Sequence, residues 1–297
     1  LLAHDTDALD DTAQARFAAL CQRRLGGEPV AYLTGTKEFY GLSLQVDARV
    51  LDPRPDTETL VDWALEVMAP LAAPRVLDLG TGSGAIALAL KHQRPTAQVG
   101  AVDASADALA VAMANAVRLQ LPVQFHKGSW LNGISGPLDA IVSNPPYIAA
   151  ADPHLAALTH EPLQALASGT DGLDDLRTIV AQAPARLAPG GWLLLEHGWN
   201  QADAVQLLLR AAGFAACPQA AFFLPSEFSM SDMQSDTQKR IDDLVKSSNV
   251  LLFMKGSASF PMCGFSGRAI QILKACGVDP KDVTTVNVLD DEAIRQG

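Results

Sequence analysis

Ile141-Val142-Ser143-Asn144-Pro145-Pro146-Tyr147 is the stretch on which the fold turns. An apolar run of strand-favouring residues enters an asparagine, two prolines and an aromatic ring. Neither proline has an N–H for a sheet ladder, and the first pushes Asn144 away from helical backbone, so a strand here must stop at Ser143 or Asn144. The asparagine amide, the carbonyl after it and the tyrosine ring are then held at a strand's carboxyl end. In open α/β sheets that is where ligands bind.

Working outward, the sequence alternates short apolar runs with amphipathic ones. Strands are expected at Val76–Leu79, Gln98–Val102, Val123–His126, Leu138–Ser143 and Trp192–Glu196, and helices near Ala85–Lys91, Ala106–Leu119, Asp174–Leu187 and Gln201–Ala212. This alternation predicts an α/β domain with a mostly parallel, doubly wound sheet covered on both faces. Upstream, residues 1–25 are Ala-rich, with Phe17, Leu20 and Leu25 at helical separations, and Gly26-Gly27 ends the pattern. Glu28–Gly35 reads as a connection, and Glu38–Val46 with Arg49–Leu51 as a strand pair across Gly41 and Asp47. Asp52–Glu58 reads as a loop whose Asp56 or Thr57 caps the next helix.

Asp78-Leu79-Gly80-Thr81-Gly82-Ser83-Gly84 follows the first of the parallel strands and opens a helix, and Asp103 ends the next strand. Glycines let backbone approach a ligand, a helix N-terminus favours negative groups, and an acid at that second strand end accepts from ribose hydroxyls. On this spacing alone a dinucleotide, a nucleoside cofactor and a plain structural turn are equally well served.

Taken with Asn144-Pro145-Pro146-Tyr147 after the fourth strand, the set resembles the class I S-adenosylmethionine-dependent methyltransferases, and within them the amino-group and amide methylators. Five further words, Glu28–Gly35, Phe39-Tyr40-Gly41, Pro53–Glu58, Glu161-Pro162 and Glu196-His197-Gly198, resemble the peptide chain release factor glutamine methyltransferase family over about residues 1–213. The resemblance implies a Rossmann-like catalytic domain and methylation of the glutamine side chain in the Gly-Gly-Gln motif of bacterial class 1 release factors. It implies that Gly80, Thr81, Gly82, Ser83 and Gly84 line S-adenosylmethionine, Asp103 takes its ribose, Trp130 lies beside its adenine, and Asn144 also borders the cofactor. Asn144, Pro145, Pro146 and Tyr147 would hold the substrate glutamine. Fixing both N–H bonds of the amide brings a poor nucleophile into line with the sulfonium methyl, so position and electrostatics carry the step without a strong base.

Plainer roles exist for several of these residues. Trp130 also suits simple packing, Arg54 and Glu58 a solvated pair at a helix start, His197 a hydrogen-bonded structural role, and Glu161 a loop anchor. Against the family pattern, only the end of a helical N-terminal docking domain is recognisable, and Ala215–Ser229 does not resemble the closing antiparallel strand pair, which would leave the sheet an unpaired edge.

The totals fit this picture. The 297 residues are 48% hydrophobic and 19% charged, with a formal charge of −11. Residues 1–229 hold 24 acidic and 14 basic side chains, which argues against direct nucleic-acid binding as the main role. No apolar run has the roughly 20 residues that cross a bilayer, and no secretory signal is visible, so a cytoplasmic, membrane-free protein is expected. Cys21, Cys217, Cys263 and Cys276 form no CxxC pair or zinc spacing, as in a reducing compartment.

At Met230 the composition shifts, and a second α/β pattern begins: helix Thr237–Ser247, strand Val250–Met254, loop Lys255–Pro261, helix Cys263–Ala275, strand Thr285–Val288. Met254-Lys255-Gly256 and Cys263-Gly264-Phe265-Ser266 resemble the monothiol glutaredoxins of the Cys-Gly-Phe-Ser type, which bind glutathione and share a [2Fe–2S] cluster between protomers. The resemblance implies Lys255, Cys263, Phe265 and Arg295 for glutathione, with Cys263 the cluster ligand, in an incomplete thioredoxin-like module. Cys276 suits a buried small hydrophobe. The expected organisation is a docking-domain remnant at 1–35, a catalytic domain at 36–213, a junction at 214–236 and a truncated glutaredoxin-like domain at 237–297. The start at Leu1 falls inside helix-favouring sequence, and the junction reads as two neighbouring genes' products joined. Two alternatives to glutamine methylation remain: adenine-N6 methylation of nucleic acid by the same Asn-Pro-Pro-Tyr chemistry, and a redox or iron–sulfur carrier acting through Cys263.

Overall fold

The structure is a computed structural model, and it describes residues 11–215 together with the segments 251–254 and 284–287. The chain divides into two compact units, Leu1–Gln219 and Ala220–Gly297.

In the first unit, helix α1 (Asp11–Leu25) leads to a short helix α2 (Val30–Thr34), closed by Gly35 in left-handed backbone. The connection expected over Glu28–Gly35 is therefore one helical turn, started at Pro29, whose carbonyl accepts from Tyr32 N–H. Phe17 and Leu25 of α1 are exposed. A hairpin follows, β1 (Thr36–Phe39) and β2 (Leu42–Gln45), antiparallel with Phe39 opposite Leu42. Tyr40 and Gly41 form its turn, both at positive φ, as a two-residue primed turn requires. Arg49–Leu51 is not the expected partner strand. The Asp47 carboxylate accepts from the Arg49 N–H at 3.0 Å and the Asp47 carbonyl from the Val50 N–H at 3.1 Å, which bends the chain instead.

Helix α3 (Glu58–Met68) is preceded by a 3-10 turn over Pro55–Thr57. Thr57 stands at its N-cap position, one of the two expected, but makes no side-chain cap hydrogen bond, because its hydroxyl is engaged elsewhere. The strands are β3 (Arg75–Leu79), β4 (Gln98–Asp103), β5 (Gln124–Lys127), β6 (Leu138–Ser143) and β7 (Leu187–Leu195). Between and after them lie helices α4 (Ala85–Gln93), α5 (Ala106–Leu119), α6 (Asp174–Gln182) and α7 (Ala202–Ala211). All neighbouring strands pair in parallel in the order β5-β4-β3-β6-β7. The strand order reverses direction between β3 and β6, and the crevice at their carboxyl ends is the topological switch point.

The period of two along each strand sends side chains to opposite faces. Val76, Val99, Ala101, Ala140, Val142 and Leu194 pack with α3, α4, α5 and the hairpin. Leu77, Leu79, Val102 and Ile141 pack with Ile179 of α6 and with Leu131. Helix α4 is buried from Ala85 to Leu90, so it is apolar all round rather than on one face. Each fully buried leucine there removes enough surface from water to contribute on the order of 2–3 kcal/mol.

Two departures from expectation have local causes. Helix α6 ends at Gln182, and a 3-10 turn over Ala183–Ala185 replaces its expected last turn, because Pro184 has no N–H to continue the helical hydrogen bonds. Strand β7 begins at Leu187 rather than Trp192. Leu187 pairs with Leu138 and Trp192 with Ala140, and the residues between form an irregularity in the strand. In the second unit, β8 (Leu251–Met254) and β9 (Thr284–Asn287) run parallel with Leu251 opposite Thr284. The other elements expected there, and Lys255, Cys263, Phe265 and Arg295, lie outside the described residues.

Candidate active site

The carboxyl ends of β3, β4 and β6 bring the sequence's candidate residues together. After β3 the chain folds back under its own sheet: the Gly80 and Thr81 N–H groups donate to the Val102 carbonyl at 2.9 and 3.0 Å. Gly80, Gly82 and Gly84 all adopt positive φ. At Gly84 a Cβ would also come within 3.0 Å of Leu88 and 3.3 Å of Ala112, so this glycine permits close contact of α4 with α5. The loop is tied to the next strand by Asp103, whose Oδ2 accepts from the Gly82 N–H at 2.9 Å and Oδ1 from the Ser105 N–H at 2.8 Å.

Asp78 sits beneath this loop with no exposed surface. Its Oδ2 accepts from the Thr81 hydroxyl at 2.7 Å and the Ala87 N–H at 3.2 Å, while its Oδ1 has no hydrogen-bond partner among the described residues. Burial pushes the Asp78 carboxyl up to about 7, against the two hydrogen bonds that favour its charge. From the ordinary value of 3.8 up to about 7 the folded protein keeps a proton the unfolded chain has lost. Asp78 therefore lowers stability as pH rises through that window, by up to about 1.4 kcal/mol per pH unit. Urea denaturation of the cofactor-free protein across this window should show that downward contribution in the wild type and its absence in Asp78→Asn. Equal pH slopes in the two proteins would contradict it.

Trp130 lies over the loop, with its ring 3.4 Å from where a Gly80 Cβ would be. Its Nε1 donates to Asp175 Oδ1 at 3.1 Å, and its backbone is at φ 51. The side chain thus packs against the loop.

At the end of β6 the Ser143 hydroxyl donates to the Leu79 carbonyl at 2.7 Å, locking the two strand ends together. Asn144 follows. Its Nδ2 donates to Thr57 Oγ1 at 3.0 Å, and the Thr57 hydroxyl donates to Glu196 Oε2 at 2.7 Å. The Tyr147 hydroxyl reaches Glu196 Oε1 at 3.3 Å, and the Glu196 N–H donates to the Ser143 carbonyl at 3.0 Å. Gln201 Nε2 donates to the Tyr147 carbonyl at 2.9 Å, and its Oε1 accepts from the Gly198 N–H at 2.8 Å. Burial and the neighbouring Glu196 push the Tyr147 phenol up to about 12, so it remains a neutral donor.

The sequence singled out Asn144, Pro145, Pro146 and Tyr147 but not the roles of Thr57, Glu196 and Gln201. The Pro53–Glu58 and Glu196–Gly198 words carried the first two only as matching text. Arg54 does not pair with Glu58. Its Nη2 donates to Glu161 Oε1 at 2.6 Å, and Glu161 Oε2 accepts the Asp52 N–H at 3.2 Å, so Glu161 anchors the loop as expected. Glu58 Oε1 instead accepts the Tyr40 N–H at 2.8 Å. His197 bonds the Gly198 carbonyl through Nδ1 at 2.9 Å, a structural contact. Among the described residues no group of His, Cys, Asp and Glu is arranged to hold a metal ion, and no helix is long and apolar enough to cross a membrane.

The residues present fit S-adenosylmethionine. The positive-φ glycines leave room for close approach to the loop backbone, Asp78 Oδ1 is an orphaned buried acceptor beneath it, and Asp103 stands one strand away. A doubly wound sheet, a glycine loop after its first strand and an Asn-Pro-Pro-Tyr turn at the switch point define a class I S-adenosylmethionine-dependent methyltransferase. A Methyltransferase small domain model matches residues 57–170, a PrmC N-terminal domain model residues 1–35, and a Glutaredoxin model residues 250–297. The chain is 52% identical over 217 residues to the release factor glutamine methyltransferase of Bordetella pertussis, covering 72% of this chain and 80% of that one. It is 51% identical over 220 residues to that of Xylella fastidiosa, covering 73% and 80%. It belongs to the release factor glutamine methyltransferase family. Among solved structures, the hMettl16 catalytic domain in complex with the MAT2A 3′UTR hairpin 1 shares the fold, at a TM-score of 0.50 and 15% identity over 67% of this chain and 83% of that one.

Proposed function

We propose that the first unit transfers a methyl group from S-adenosylmethionine to the side-chain nitrogen of a glutamine, the one in the Gly-Gly-Gln motif of a bacterial class 1 peptide chain release factor, in the cytoplasm. The observation that carries this reading is the state of Asn144. Its NH2 is committed to Thr57, and its Oδ1 has no hydrogen-bond partner among the described residues. With the adjacent Pro145 carbonyl, that gives two acceptors at the switch point for the two N–H bonds of a primary amide. Tyr147, held by Glu196 and Gln201, supplies a ring for the planar group.

When bound, S-adenosylmethionine supplies an electrophilic methyl on a sulfonium. Gly80, Thr81, Gly82, Ser83 and Gly84 would cradle its amino-acid end, Asp103 its ribose hydroxyls, and Trp130 its adenine, with Asn144 at the border of both ligands. Transfer would form a carbon–nitrogen bond in place of the sulfonium's carbon–sulfur bond, and one amide N–H proton would leave to solvent. Asn144 and Pro145 stabilise the nitrogen as it gains positive character, because both present oxygen dipoles to its N–H bonds. The names carried by the Bordetella and Xylella relatives support the substrate.

The same pair of acceptors suits the exocyclic amine of adenine, so the test has two arms. The full chain is incubated with methyl-labelled S-adenosylmethionine and either a release factor or adenine-containing DNA and RNA. Label on the release factor glutamine is the expected result, and label on adenine overturns the reading.

We infer further that the second unit binds glutathione through Lys255, Cys263, Phe265 and Arg295 and ligates a [2Fe–2S] cluster through Cys263. Support comes from the Glutaredoxin match at 250–297. Anaerobic reconstitution with iron and sulfide should give a coloured full chain and a colourless Cys263→Ser variant. Equal colour in both would sink the assignment of Cys263.

A further inference from the structure

Glu196 shares no covalent neighbourhood with Asn144, yet the structure connects the two by a directed hydrogen-bond relay. We propose that Glu196 is a positioning residue: as a carboxylate, acting through the Thr57 hydroxyl, it fixes which end of the Asn144 amide faces the substrate. The relevance to methylation rests on the glutamine reading above; the relay itself does not.

A threonine hydroxyl has one proton to give and lone pairs to receive, and an ionised carboxylate can only receive. The Thr57 hydroxyl lies 2.7 Å from Glu196 Oε2 and must give its proton there. It is then able only to accept from Asn144, 3.0 Å away, and the atom that can donate is Nδ2. Oδ1 is thereby turned outward as an acceptor, the polarity an incoming N–H requires. Tyr147 donates to the other oxygen, Oε1, at 3.3 Å, so the same carboxylate holds both ends of the substrate turn. The Glu196 backbone is itself clamped beside that turn through its N–H to the Ser143 carbonyl. A protonated Glu196 permits the opposite polarity, with Glu196 donating to Thr57, Thr57 donating to Asn144 Oδ1, and NH2 facing an N–H.

The surroundings make that protonation accessible. Burial raises the Glu196 carboxyl above its ordinary value, opposed by the hydrogen bonds from Thr57 and Tyr147, reinforced by Asp56 on the 3-10 turn before α3, and opposed least by the nearby Asn144 amide. The nearby Arg54 acts in the opposite sense to Asp56 on the adjoining Tyr147. An acid whose pKa is raised in the folded state is protonated over a window above the usual glutamate range. The aligned amide is thus the form present above that window, and the alignment is lost as pH falls through it.

The test is made on the full chain in two independent readouts. In NMR spectra of the cofactor-free protein, with the Asn144 side-chain amide signals assigned by their loss in Asn144→Asp, those signals should shift with pH around a midpoint above the ordinary glutamate value. Glu196→Gln and Thr57→Val should abolish the shift, and Thr57→Ser should restore it. In the methylation assay Glu196→Gln and Thr57→Val should each lower kcat by about 100-fold, a misorientation-sized effect. The KM for S-adenosylmethionine should stay unchanged, Thr57→Ser should recover the rate, and the acid limb of the wild-type pH profile should vanish in Glu196→Gln. Should Glu196→Gln fail to fold, the Thr57→Val and Thr57→Ser pair reads the same relay. Amide signals that ignore pH in the wild type, or a Thr57→Val variant with the wild-type titration and rate, overturn the proposal. A wild type that titrates as described but transfers no methyl to release factor refutes the substrate reading and leaves the relay standing.

Discussion

Replacing Asn144 by alanine is expected to lower kcat for glutamine methylation by about 10²–10³-fold, the range seen when one preorganised polar contact to a developing charge is removed. The loss should be large because the amide nitrogen is a weak nucleophile whose orientation does most of the catalytic task. It should fall short of total loss because the Pro145 carbonyl remains as the second acceptor. Cofactor affinity, measured by calorimetry, should stay within about twofold, since the loop that holds S-adenosylmethionine is fixed by Val102, Asp78 and Asp103 rather than by Asn144. Stability should fall by only about 1 kcal/mol, the net worth of the bond to Thr57. An equal collapse of cofactor binding and turnover would show that Asn144 serves the cofactor rather than the glutamine.

Gly172→Ala should be as damaging, from a residue that touches neither ligand. Gly172 has φ +77, and a Cβ there would meet the Tyr147 carbonyl oxygen at 2.2 Å and Gln201 Nε2 at 2.7 Å. The first of these is backbone and cannot swing aside. Relief requires the Asn-Pro-Pro-Tyr turn to move, which also breaks the Gln201–Tyr147 bond of 2.9 Å. Left-handed backbone with a Cβ costs about 1–2 kcal/mol and overpacking about 1–3 kcal/mol, together roughly 2–5 kcal/mol. Chemical denaturation should register that loss, and kcat should fall by at least about 100-fold even in the folded fraction, because the turn is displaced by a good part of an ångström or more. Wild-type turnover in this variant would mean that the turn tolerates movement and that the site is less rigid than its hydrogen bonds suggest.

The extent to which sequence foretold this arrangement depended on how local each cause was. The glycine loop, the end of β6 and the limits of α5 were legible because each is set by its own residues: positive-φ glycines, paired prolines, and Ser105 capping α5 by accepting from the Ala108 N–H. The early end of α6 was written in Pro184, but an apolar run continuing to Leu187 masked it.

What was not legible lies in contacts between distant parts of the chain. Thr57 looked like a helix cap because local chemistry offers a threonine before an acidic helix start nothing better. Its actual partner, Glu196, lies 139 residues further along. Arg54 similarly looked like the partner of Glu58, and binds Glu161 instead, 107 residues away. Asn115 carried no signal at all on the buried side of α5. It nevertheless joins β2 to the glycine loop: its Oδ1 accepts the Gln45 N–H, and its Nδ2 donates to the Gln45 and Ser83 carbonyls. A buried amide at a helix position otherwise suited to alanine or valine is the one clue that could have exposed it.

The central claim, that Asn144 and Pro145 present a glutamine amide to the methyl donor, is tested most directly by locating the product. The full chain should be incubated with S-adenosylmethionine and an unmethylated class 1 release factor, and the digested release factor mapped by fragmentation mass spectrometry. The account predicts a single added methyl on the side-chain nitrogen of the Gly-Gly-Gln glutamine, formed about 10²–10³-fold more slowly when Asn144→Ala replaces the wild-type chain. A methyl on any other release factor side chain, or an unmodified glutamine beside a methylated adenine in added nucleic acid, would contradict it.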